Sequence, residues 1–111
     1  MAKYLLIESR DPYEYADTNY FYDLAGDLAR RGNEVAFFLM QNGVLVAREG
    51  ARPNKVAELR EAAPGIRVLA DEFSLRERGI RPESVVAAVE ITDIGSLVDL
   101  LMEDGRKPIW H

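Results

Sequence analysis

The stretch Ile66-Arg67-Val68-Leu69-Ala70-Asp71-Glu72-Phe73-Ser74-Leu75-Arg76-Glu77-Arg78-Gly79-Ile80 decides the fold. Ile66 to Ala70 is a short run dominated by apolar and β-branched side chains, the composition of a buried strand. Pro64-Gly65 in front of it stops whatever precedes. Glu72 to Arg78 fits a short helix, with Asp71 able to cap it and Gly79 able to take the left-handed stop. A buried strand feeding straight into a helix is half of a βαβ unit.

The same alternation extends both ways. Lys3 to Ile7 and Val35 to Met40 are apolar runs suited to strands buried on both faces. Between them Phe21, Leu24, Ala25, Leu28 and Ala29 form one helical stripe. Asp17 or Thr18 caps that helix, and Gly32 closes it after Arg30 and Arg31. Gln41-Asn42-Gly43 is a turn, Val44 to Arg48 a short helical turn, and Gly50 to Pro53 a loop. Pro53 to Ala63 is a helix with Val56, Leu59 and Ala63 inward. Val85 to Val89 is the expected fourth strand. Ile94, Leu97, Val98 and Leu101 mark a last helix, capped by Thr92 or Asp93 and ended by Gly105, and Lys107 to Trp110 a fifth strand. Strands alternating with helices predict one α/β domain over 1–111: about five mainly parallel strands with helices on both faces.

Composition narrows the function. The chain has 111 residues, 48% of them hydrophobic, with net charge −5 and no cysteine. An acidic balance argues against a general nucleic-acid binder, which needs clustered Lys and Arg, and against docking on an anionic membrane leaflet. No apolar run approaches the roughly 18 residues of a membrane span. The first residues lack the long apolar core of a secretory signal, so a cytoplasmic address is expected. Absence of cysteine excludes disulfides, thiolate metal sites and persulfide chemistry on this chain.

In an open parallel sheet, ligands bind beyond the carboxyl ends of the strands. That edge carries Glu8 to Arg10, Gln41 and Asn42, Asp71 to Ser74, Glu90 to Asp93, and His111. The ligand-binding candidates are Asp71, Ser74, Arg78, Asn42, Gln41 and Glu8. A helix starting near Asp71 offers free N–H groups to a sulfur oxyanion, a carboxylate or a phosphate. The plainer alternative is that Asp71 caps the helix and Ser74 lies on the surface. No catalytic residue, metal set or cofactor is assigned. There is no Gly-x-Ser-x-Gly, no glycine-rich phosphate loop and no ligand spacing around the single histidine. His111 is expected near the sheet edge or in a subunit contact. Tyr20 and Tyr22 point away from Phe21 on the helix, toward a neighbouring surface, a subunit contact or the sheet edge.

Four segments in order resemble the DsrE/DsrF-like sulfur-relay family. They are Leu28 to Val35, with Asn33 in place of a usual His; Phe38 to Val44; Ser74 to Ile80; and the closing Leu97 to Trp110. In that family a cysteine stands one helical turn before the Arg of an Arg-Gly-Ile, the place Ser74 holds here. A second cysteine of some members falls on Asp71. The resemblance implies a three-layer flavodoxin-like fold, assembly into homotrimers or hexamers, and contact with sulfur-carrier proteins. Several members pass persulfide sulfur, and members without the cysteine occur as partner subunits in mixed assemblies. A serine forms no persulfide, so the resemblance implies a non-catalytic binding or assembly subunit. A small-molecule or anion-binding module at the Ser74 turn, or an enzyme of other chemistry at the strand ends, are the alternatives. If Ser74 holds the acceptor position, a cysteine introduced there should be accessible and reactive.

Overall fold

The computed structural model describes the whole chain, Met1–His111. Its strands are β1 (Lys3–Glu8), β2 (Glu34–Leu39), β3 (Arg67–Asp71), β4 (Val89–Thr92) and β5 (Arg106–Trp110). They form one sheet in the order β4-β3-β2-β1-β5, with every pairing parallel. The helices are α1 (Thr18–Arg30), α2 (Lys55–Ala62), α3 (Glu72–Glu77) and α4 (Ile94–Leu101), with a 3-10 segment over Gln41–Ala47. No helix is long and apolar enough to cross a membrane.

The direction of winding decides the layers. From β1 to β4 the chain steps one strand at a time the same way, so right-handed crossovers place α1, α2 and α3 on one face. The β4-to-β5 connection runs back across the whole sheet, so α4 falls on the other. Alternation along each strand feeds both cores. Leu6, Phe37, Leu39 and Val68 pack with Phe21, Val44, Val56, Leu59 and Leu75. Leu5, Ile7, Ala36, Phe38 and Leu69 pack with Leu97 and Leu100 of α4. The three-layer α/β expectation therefore holds, with unequal layers: one eight-residue helix covers the second face.

Several local expectations are corrected. The fourth strand is Val89–Thr92, not Val85 to Val89. Val85 instead bridges Arg48, and the Val86 N–H donates to the Ala47 carbonyl, which anchors the stretch to the 3-10 segment. Tyr22 faces the core with Phe21, because its ring lies 4.7 Å from that of Phe37. Leu24 is partly exposed instead. Asp17 occupies the cap position of α1 without a side-chain bond to the helix. Asp93 does cap α4, accepting from the Ser96 N–H at 3.1 Å.

Gly43 is fixed by space. A Cβ there would lie 2.1 Å from the Glu8 carbonyl oxygen, so only glycine lets the 3-10 segment close onto the end of β1.

Candidate functional site

Ser74 is buried, 4% exposed, and its polar atoms are satisfied from three directions. Its backbone N–H donates to Asp71 Oδ2 at 3.0 Å and its hydroxyl to the same oxygen at 2.6 Å. The hydroxyl in turn accepts the Gln41 N–H at 2.8 Å. Gln41 presents that N–H from a positive φ of 50°, an uncommon backbone for a residue other than glycine. Arg78 donates to the Ser74 carbonyl at 3.1 Å and to Asn42 Oδ1 at 3.0 Å. The fold thus brings Gln41, Asn42, Asp71, Ser74 and Arg78 together around the start of α3.

This arrangement bears on the anion cradle expected at the turn. Asp71 caps α3, and its carboxylate fills the place an anion would take. Ser74 is not the surface residue of the plainer alternative either. Beside the turn lies an open cleft of about 610 Å³, lined in part by Met40, Phe73 and Ile94. Its charged lining is Asp71, Glu72, Glu77 and Asp93 against Arg76 and Arg78. Arg76 is turned to Glu72 at 3.4 Å, and Arg78 is committed as described. The surroundings therefore favour a neutral or cationic group over an anion.

Glu8 stands apart from this cluster. It ends β1 on the same face as Leu6, the α1 side of the sheet, and is fully buried. Its carboxyl faces His111 Nδ1 at 2.7 and 3.0 Å. The other ring nitrogen lies 3.2 Å from Asp17 Oδ2. The imidazole stacks on Phe21, with centroids 5.2 Å apart. The residue is tied to β1 by its N–H to the Ile7 carbonyl and by its own carbonyl, which accepts from the Ser9 N–H and hydroxyl. Burial pushes the Glu8 carboxyl up to about 7, against the opposing pull of His111. Burial lowers the His111 imidazole, but the bonds to Asp17 and Glu8 outweigh it and the net shift is upward. One sign of this cluster was present in the sequence: alternation from Leu6 places Glu8 inward, where a carboxyl needs a partner. The partners themselves are remote in sequence. No Ser-His-Asp constellation forms, since Ser74 follows β3 and His111 follows β5, with β2 and β1 between them.

The fold recurs in solved structures. The MTH1491 protein of Methanobacterium thermoautotrophicum, described as of unknown function, superposes with a TM-score of 0.83 at 17% identity, covering 100% of both chains. The ychN protein of E. coli gives 0.81 at 20% identity, over 98% of this chain and 100% of that one. BT1422 of Bacteroides thetaiotaomicron, of unknown function, gives 0.73 at 17% identity, over 98% and 95%. No curated protein matches the chain. The profile of the DsrE/DsrF-like family matches residues 2–107, nearly the whole length, so the chain belongs to the DsrE/DsrF-like family.

Proposed function

We propose that this protein is a non-catalytic DsrE-like subunit, binding or assembling with partners in cytoplasmic sulfur trafficking. The observation that carries the reading is Ser74: it holds the acceptor place of the resemblance, and its buried hydroxyl is bonded to Asp71 and Gln41. An alcohol forms no persulfide, and no imidazole lies near to take its proton. What remains is a scaffold with a cleft and an apolar surface.

That surface supports self-assembly into a trimer or a hexamer. α4 turns Leu97 and Leu100 into the core and leaves Ile94, Val98 and Leu101 outward, with Met102 just past its end, and Val98 is 50% exposed. These outward residues recur at helical spacing, a second apolar stripe on the one helix that covers its face. Light scattering after size exclusion tests the assembly. A trimer or hexamer at micromolar concentration is expected, with Val98→Glu shifting it to smaller species while the fold is kept. A wild-type monomer at that concentration contradicts the assembly role.

A second reading rests on the cleft beside Ser74, whose size suits a small molecule. Its acidic lining favours a neutral or cationic ligand.

A further inference from the structure

The groups around His111 form an arrangement that the fold does not need for packing alone. A carboxylate only accepts hydrogen bonds, and both ring nitrogens of His111 face carboxyl oxygens, of Glu8 and of Asp17. Both contacts are attractive only if the cluster holds one proton more than a neutral imidazole between two carboxylates. That proton sits either on the ring or on Glu8, and it belongs to the pair.

The three anchors lie on three separate pieces of chain. Glu8 ends β1, Asp17 stands at the start of α1, and His111 follows β5. They meet between β1 and β5, where the winding of the sheet reverses. The other charged or titratable groups facing the cluster are few. Arg10, on the loop after β1, is 3.9 Å from Asp17. Tyr22 of α1 and Tyr13 of the loop lie on the Glu8 side, and the buried Tyr22 hydroxyl has no partner.

We propose that His111 is a proton-operated latch, fastening the start of α1 and the end of β5 to β1, and that loss of its extra proton frees the 10–17 loop. Unequal burial decides which contact breaks. Glu8 is inaccessible to solvent, so an unpartnered carboxylate there is costly, and the remaining ring N–H stays with it. The Asp17 side chain is 55% exposed, and water replaces the imidazole easily. The first N–H groups of α1 are already taken by the carbonyls of Tyr15, Ala16 and Asp17, so a released Asp17 carboxylate turns to water. Asp17 thus has two states, latched to the imidazole or hydrated, and the proton on the cluster selects between them. The loop it controls carries Tyr13 and Tyr15, both substantially exposed.

The test is a pH titration of the wild-type protein by nitrogen-resolved NMR of the imidazole, with amide exchange of the 10–17 loop followed in parallel. Both ring nitrogens should be protonated, or paired with a protonated Glu8, at pH 6. Loop exchange, corrected for intrinsic base catalysis, should then rise severalfold as the cluster loses its proton and the Asp17 contact with it. In Asp17→Asn the corrected loop exchange should lose that step while the ring still titrates. In Glu8→Gln the midpoint should move down. A ring that is neutral at pH 6 beside an ionised Glu8 overturns the proposal. So does corrected loop exchange that stays flat through the titration, or a step that survives unchanged in Asp17→Asn.

Discussion

The Ser74 hydroxyl donates to Asp71 Oδ2 at 2.6 Å, and the same oxygen caps the helix that carries Ser74. The residue that the resemblance sets at the acceptor place is therefore locked into the frame of its own turn. A hydroxyl suits this role because it donates to Asp71 and accepts from Gln41 at once.

The pairing reverses what the sequence led one to expect of a cysteine at this position. In Ser74→Cys the thiol is buried and faces a carboxylate, and both effects raise a thiol's pKa. Alkylation at pH 7 should be slower than for a free cysteine. Removing the carboxylate in the double variant Asp71→Asn, Ser74→Cys should speed it. A single-variant thiol that reacts faster than free cysteine would contradict this burial and favour the accessible acceptor site that the resemblance implies.

Gly43→Ala tests the closure of the 3-10 segment onto β1. The added methyl collides with the Glu8 backbone, not with a flexible side chain, so the strand or the segment must shift. A loss of about 2 kcal/mol or more is expected in urea unfolding, well above the ordinary cost of a surface substitution. An unchanged midpoint would mean that the segment sits further from β1 than described.

Much of this architecture was legible before the structure. Uncharged runs such as Val35 to Leu39 and the helical stripe through Phe21 and Ala25 leave little choice of element. The misplaced fourth strand shows the limit. Val85 to Val89 is apolar, but Val85 and Val86 are held by Arg48 and Ala47, remote partners that no local periodicity reveals. Tyr22 was misread because one inward stripe was assumed, whereas α1 is covered by α2 as well as by the sheet. The Ser74 cluster was half legible: its residues were identifiable from strand ends, its saturation was not. The Glu8–His111 pair was the least visible, because β1 and β5 become neighbours only through the reversal of winding.

The stability of the protein should fall as pH rises through neutrality. Burial raises the Glu8 carboxyl from 4.5 to about 7 in the folded state. A raised folded value means the native state holds the proton more tightly. Its contribution is then full below pH 4.5 and is lost as pH climbs through about 7, on the order of 3 kcal/mol. His111 is also raised, and because it shares that proton with Glu8 the loss belongs to the pair and keeps the same sign. Glu90, lowered by its bond to Arg67, acts oppositely, below pH 4.5. Urea unfolding at pH 5, 7 and 8.5 should show a steady decline, and Glu8→Gln should flatten it. Stability that rises over this range would contradict the assignment.

The proposed absence of transferable sulfur on this chain is met directly by one measurement. The wild-type protein is incubated with a persulfide donor, and its intact mass is then recorded under non-reducing conditions. Ser74 offers an alcohol bonded to a carboxylate, and the chain contains no thiol. The mass should stay at that of the unmodified chain. A stable gain of one sulfur atom, lost again on reduction, would contradict the non-catalytic reading.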